Sequence, residues 1–221
     1  MIDQVSLSFL LCTLNRNDYF ERSIRSLFEA ENYNIRFEVI VVDQGVSRYV
    51  EKICTSLGAK YIPSESRGLS LARNIGLEKC EGQFIALMDD DAYISKNYFD
   101  HYKSIIAETW IDRINAFSGR IMTVENPQKS YSRTQSSKIS RIGYDNVNII
   151  LSSALVIRKS TFVSVGGFDE DFGVGAKWGG SEETDFICRV IKNCNHIFHL
   201  QCIDDWLQIQ ENCPVCRRIE L

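Results

Sequence analysis

Three consecutive carboxylates, Asp89-Asp90-Asp91, follow the apolar run Phe84-Ile85-Ala86-Leu87-Met88. An apolar run this short, bounded by turn signals, predicts a buried parallel strand. Gly82 precedes it, and Ser95 is expected to cap the next helix. The acids then emerge at the carboxyl end of a central strand, where open α/β sheets place their ligands. Clustered carboxylates repel one another, so a positive partner is expected among them. A hard divalent cation, Mg²⁺ or Mn²⁺, bridging to a phosphate meets that need. Taken alone, the same three acids could be a solvated turn.

A second group with metal chemistry lies at the other end of the chain. Cys194, His196, His199, Cys202, Cys213 and Cys216 crowd together, whereas Cys12, Cys54, Cys80 and Cys188 are scattered singly. Scattered cysteines within strand and helix patterns read as reduced core residues. The crowded set fits a metal site better than a disulfide framework.

The elements that must position these groups alternate between strand and helix. Val5 to Leu11 predicts a first strand, and Asn17 or Asp18 a cap for a helix with apolar positions Phe20, Ile24, Leu27 and Phe28. Phe37 to Val42 predicts a second strand ending in Asp43-Gln44-Gly45, and Arg48 to Leu57 a helix stopped by Gly58. Lys60 to Ile62 is a short strand, and Arg67-Gly68-Leu69-Ser70 opens a helix running to Lys79. Tyr98, Tyr102, Ile105 and Ile106 mark one face of a later helix, and Ile149 to Ile157 returns to strand. The pattern is that of an α/β protein with a mostly parallel sheet covered on both faces. Lys129 to Arg141, rich in Ser, Thr and Gln, reads as a solvated loop or as a flap over the site.

A chain of 221 residues accommodates one sizeable domain and a small appendage. Apolar content of 44% and charged content of 24% are those of a soluble globular protein. A net charge of -4 argues against a broad nucleic-acid surface. No run reaches transmembrane length, and the start lacks a basic n-region, so a cytoplasmic location is expected, with peripheral contact to a membrane as the variant.

Four separated segments together resemble the family 2 glycosyltransferases, which have the GT-A fold, a Rossmann-like, mostly parallel sheet. They are TLNR, VIVVDQG, RGLSLARNIGL with FIALMDDD, and GGFDEDFGVGAKWGGSEETDF. The resemblance covers about residues 5–192, and the expected domain is 1–192. It implies transfer of a sugar from a nucleotide-diphosphate donor to the hydroxyl of a saccharide or lipid-linked acceptor, with inversion, as in polysaccharide synthesis. Asp89 and Asp91 would form the Asp-x-Asp signature that holds Mn²⁺ or Mg²⁺ on the diphosphate, a Lewis-acid role. Asp43 would contact the nucleoside, Thr13, Asn15, Arg16 and Asp90 would line the same pocket, and Arg73 would bind phosphate or nucleotide through its planar fork. On the acceptor side, the pair Glu182-Glu183 opens a helix, with Glu183 as base. The helix dipole is expected to keep that carboxylate ionised. Trp178 and Asp185 complete the acceptor set. Family members often carry Pro where Cys12 stands and Glu-Asp where Glu182-Glu183 stand, and they usually continue past the acidic pair with further helices.

From Cys194 the pattern changes and resembles the second half of a histidine-containing RING finger, expected as a partial zinc-binding domain over 193–221. That resemblance implies one complete Zn²⁺ site of Cys194, His196, Cys213 and Cys216. His199 and Cys202 would supply half of a second site, whose upstream Cys-x-x-Cys is missing from the sequence. The alternative function is a RING-type adaptor or ubiquitin-ligase-like protein that engages a ubiquitin-conjugating enzyme. A further alternative is an inactive, recombined chain.

Overall fold

The computed structural model describes residues 6–192, apart from 33, 109, 110, 112, 113, 125, 127, 128, 130 and 132–141. Four apolar runs become parallel strands: β1 (Leu7–Thr13), β2 (Phe37–Asp43), β3 (Lys60–Pro63) and β4 (Phe84–Asp89). β1 and β4 are buried along nearly their whole length, so their sequences run apolar without alternation. Three helices link them: α1 (Asn17–Glu29), α2 (Arg48–Leu57) and α3 (Leu69–Leu77). Gly58 ends α2 in the left-handed conformation, as expected of a glycine after the last helical residue.

The remaining strands reverse direction. β6 (Leu155–Arg158) runs antiparallel to β4, and β5 (Ala116–Ser118) runs antiparallel to β6. The order is β3-β2-β1-β4-β6-β5. α4 (Tyr98–Ile106), α5 (Lys159–Val165) and α6 (Glu182–Lys192) complete the described elements.

Two cores lie on opposite faces of the sheet. Phe20, Ile24 and Leu27 of α1, Val50 of α2 and Phe99 of α4 cover one face, packed on Leu7, Phe9 and Leu11. Ala72 and Leu77 of α3 with Phe186, Ile187 and Val190 of α6 cover the other, packed on Leu10, Ile40 and Ile85.

Several expectations are corrected. Arg16, not Asn17 or Asp18, is the cap residue of α1, because Asn15 turns the chain with φ 56° and Asn17 is already helical. Ser95 does not cap α4; its hydroxyl bonds the Asn97 side chain, and Asn97 is the cap residue. The stretch 149–157 is not one strand. Short 3₁₀ turns at Val147–Ile149 and Ser152–Ala154 consume its first part, since Ser152 and Ser153 break the apolar run. Most of 129–141 and all six Cys and His residues of the 194–216 cluster lie outside the described residues.

Candidate active site at the strand ends

The register sets the site. Thr13 pairs with Asp43 and Cys12 with Asp89, so β1, β2 and β4 end at one level. Thr13 Oγ1 donates to Asp90 Oδ2 at 2.7 Å, and Arg16 lies 3.0 Å from Asp90 Oδ1 and 2.7 Å from Asp91 Oδ2. Asp90 is buried, while Arg16 and Asp91 are half-exposed. The positive charge expected among the acids is therefore provided by arginine side chains: Arg16 holds Asp90 and Asp91, and Arg73 lies 3.5 Å from Asp89. Desolvation still pushes the Asp89 and Asp90 carboxyls above their ordinary range.

Asp43 is fully buried and organises its own turn. It accepts from the Gly45 amide at 2.8 Å, the Ser47 amide at 2.6 Å and the Tyr61 hydroxyl at 3.1 Å. Asn15 is exposed, and its side chain lies so close to Gly45 that a Cβ there would meet Asn15 Oδ1 at 2.5 Å. Gln44, which the motif reading left out, is buried and donates to the carbonyls of Ser66 and Gly68, fixing the entry to α3. Its place in VIVVDQG was the available signal.

The segment expected to serve the acceptor is a glycine-rich loop latched to α3. Asn74 donates to the Phe168 carbonyl and accepts from the Phe168 amide, each at 2.9 Å. Ser70 Oγ donates to the Phe172 carbonyl at 2.7 Å, and the Leu69 amide donates to the Val174 carbonyl. Gly173, at φ 100°, passes close above Ser70 and Glu182. Trp178 is 54% exposed, with its amide bonded to the Asp171 carbonyl and the Lys177 ammonium 5.1 Å over its ring.

α6 begins at Glu182. That carboxylate is buried, and its Oε1 accepts from Arg73 Nη1 at 2.8 Å. Arg73 is only 3% exposed and lies 5.4 Å over the Phe168 ring. Its fork meets two protein carboxylates, Glu182 at 2.8 Å and Asp89 at 3.5 Å. Asp185 likewise faces inward on its own helix, paired with Arg189, which also donates to the carbonyls of Val165 and Gly167. Glu183 is partly exposed. Burial, and then the neighbouring Glu182 charge, push its carboxyl above the ordinary range, so the expected dipole stabilisation is outweighed.

Asp89 and Asp91 present hard oxygen donors at the strand end, which suits a divalent cation. Among the described residues no three His, Cys, Asp or Glu side chains converge on one point. A cation bound by one or two carboxylates, with phosphates and waters filling the other positions, needs no third protein ligand.

Comparison with known proteins accounts for both patterns. The profile of Glycosyl transferase family 2 matches residues 8–163, and that of the RING-H2 zinc finger domain matches 176–217. Among solved structures, TarS 1-349 from S. aureus superposes with TM-score 0.68 at 22% identity, over 87% of this chain and 57% of that one. The same protein has been crystallised in complex with UDP-GlcNAc, with TM-score 0.68. The mannosyltransferase PcManGT from Pyrobaculum calidifontis, in complex with GDP-Man and Mn²⁺, superposes with TM-score 0.57 at 16% identity, over 76% of this chain and 49% of that one. These likenesses establish the fold, GT-A. Among curated relatives, RING-H2 finger protein ATL30 of Arabidopsis thaliana is 49% identical over 37 residues, 17% of this chain and 13% of that protein. RING-H2 finger protein ATL52 of the same plant is 35% identical over 92 residues, 42% of this chain and 24% of that protein. The chain spans little more than half of the TarS fragment and a small part of the RING-H2 proteins. Among the described residues no helix is long and apolar enough to cross a membrane. The strand-end acids, the sheet order and a family profile covering most of the chain agree: the chain belongs to glycosyl transferase family 2.

Proposed function

We propose that the chain is an inverting glycosyltransferase that moves a sugar from a nucleotide-diphosphate donor to an acceptor hydroxyl, with a divalent cation. The observation that carries this reading is the meeting, through Arg73, of the strand-end carboxylate Asp89 with the start of α6, where Glu183 carries a raised carboxyl. UDP-GlcNAc in TarS and GDP-Man in PcManGT support the donor class. Thr13, Asn15, Arg16 and Asp43 line the donor end, and Asp89 and Asp91 would hold Mn²⁺ or Mg²⁺. When bound, the cation supplies Lewis-acid neutralisation of the departing diphosphate.

Glu183 takes the proton of the acceptor hydroxyl as that oxygen bonds to the anomeric carbon. The bond from that carbon to the phosphate oxygen breaks on the opposite face, its electron pair leaving with the nucleoside diphosphate. Inversion is the outcome of this in-line geometry. A base with a carboxyl above its ordinary range is better matched to neutral operation than a strongly acidic one. Trp178 offers an exposed ring for an acceptor sugar to stack on. Incubation with a panel of nucleotide sugars and Mn²⁺ or Mg²⁺ tests the reading. Transfer, or release of nucleoside diphosphate, is expected from at least one donor; neither release nor nucleotide binding across the panel would end it.

A second reading is favoured by the RING-H2 match at 176–217. On that reading Cys194, His196, Cys213 and Cys216 would hold one structural Zn²⁺ as a Cys₃His set, with His199 and Cys202 as half of a second. Metal analysis is expected to give at most one zinc per chain. Two zincs, with autoubiquitination in the presence of a conjugating enzyme, would move the assignment toward a ligase.

A further inference from the structure

The buried ion pair between α3 and α6 has no part in donor binding or proton transfer as described. Arg73 and Glu182 have side chains 3% and 7% exposed, 109 residues apart in sequence and 2.8 Å apart in space. The second Arg73 nitrogen, Nη2, faces Asp89 at 3.5 Å. Phe168, hydrogen-bonded through its backbone to Asn74 one residue after Arg73, packs its ring beneath the guanidinium and against Phe186 of α6. One planar cation therefore touches the carboxylate at the end of β4, the first residue of the base-bearing helix and the loop between them.

We infer that Arg73 is a positioning residue for transfer: it ties the cation-side carboxylate Asp89 to the helix that carries Glu183, and so sets the separation between leaving group and base. This rests on the proposed transferase reading. Both terminal nitrogens of Arg73 face protein carboxylates, Glu182 and Asp89, which is a bridging arrangement and not that of a free phosphate clamp. Its two-pronged geometry is what the role requires, because separate nitrogens serve the two carboxylates. Lysine has the same charge but no planar fork, so it cannot present separate nitrogens in these two fixed directions.

Arg73→Lys therefore separates the alternatives. If Arg73 positions, kcat falls about 100-fold, as a misplaced reacting group does, while the donor KM stays within about threefold. If Arg73 instead binds phosphate, donor KM rises and kcat holds; that result overturns the inference. An activity-independent arm uses thermal unfolding of Arg73→Met, Glu182→Gln and the double variant. Arg73→Met strands a buried carboxylate and is expected to lower the midpoint by about 10 °C. Glu182→Gln on that background is expected to recover part of the loss, and strict additivity would overturn the bridge. Should Arg73→Met fail to fold, rescue of folding by the added Glu182→Gln supports the bridge, and failure of the rescue overturns it. If the wild-type protein transfers no sugar yet the unfolding cycle is coupled, the transferase reading fails and the bridge stands. If it transfers and the cycle is additive, the bridge alone fails.

Discussion

On the β3-β2-β1-β4 side of the sheet, the candidate donor residues sit on strand ends or within two or three residues of them. Away from the strand ends, Trp178 and Glu183 sit on a loop and at a helix start. What holds the second set is a group of contacts from α3: Ser70 to Phe172, Asn74 to Phe168 and Arg73 to Glu182. On the proposed reading, donor geometry is built into a parallel sheet, whereas acceptor geometry is borrowed from one nine-residue helix. The difference teaches that damage to α3 contacts should be read in acceptor-side kinetics, while damage to strand packing should be read in stability.

The largest expected effect is at the base. Glu183→Gln should lower kcat about a thousandfold with donor binding retained, the span that general-base removal produces. Transfer kinetics with parallel nucleotide-binding measurements check it, and full activity would place the base elsewhere. Next, Gly173→Ala puts a Cβ 2.9 Å from Ser70 Oγ at φ 100°, a conformation that costs about 1–3 kcal/mol for a non-glycine residue. Its acceptor KM should rise more than its donor KM. The matched change against the strands is Gly76→Ala on the sheet-facing side of α3, whose Cβ would collide with Leu10 of β1 and Val42 of β2 in the core. Overpacking there should cost about 1–3 kcal/mol in an unfolding titration, with both KM values unchanged. If the two glycine variants show the same kinetic pattern, the division between the halves is wrong.

A smaller effect concerns pH. The Glu183 carboxyl is raised, so at a given pH more of it is protonated than in an ordinary glutamate. Transfer needs the carboxylate, so activity should be lost as pH falls through a value above the ordinary glutamate pKa of about 4.3. Glu182→Gln removes the nearest like charge and should move that acid limb of kcat/KM downward. A limb at or below the ordinary value would contradict the burial of Glu183.

The donor half was legible in the amino-acid order because its physics is local. β-branched and aromatic runs such as Phe37–Asp43 end abruptly in polar residues, and that ending marks both the strand and the site. The acceptor half was legible only in part. Glu182 and Glu183 announce a helix start, and α6 indeed begins there. β5 was invisible, since three residues carry no periodicity, and α5 was hidden by Ser, Thr and Val, which are poor helix formers. The burial of Arg73 was equally hidden: its residue type suggests a phosphate clamp, and only the fold brings Glu182 to it across 109 positions. Asp43 shows a related limit. Its strand-end position was readable, but its use of both oxygens inside its own turn was not.

Residues 176–192 are claimed twice, once by the RING-H2 match and once by the architecture of the sheet. α6 lies inside that overlap, and its Phe186 ring stacks 4.8 Å from Phe168 and 6.4 Å from Phe162. Anyone separating the two parts by following the sequence match would cut before Ala176 and carry Phe186, Ile187 and Val190 away with the finger. One fragment would then be left with an unroofed hydrophobic face, and the other with a greasy leader. A cut after Lys192 keeps the roof on. The start of the RING-H2 match therefore falls inside a folded body, ahead of the helix that roofs its core.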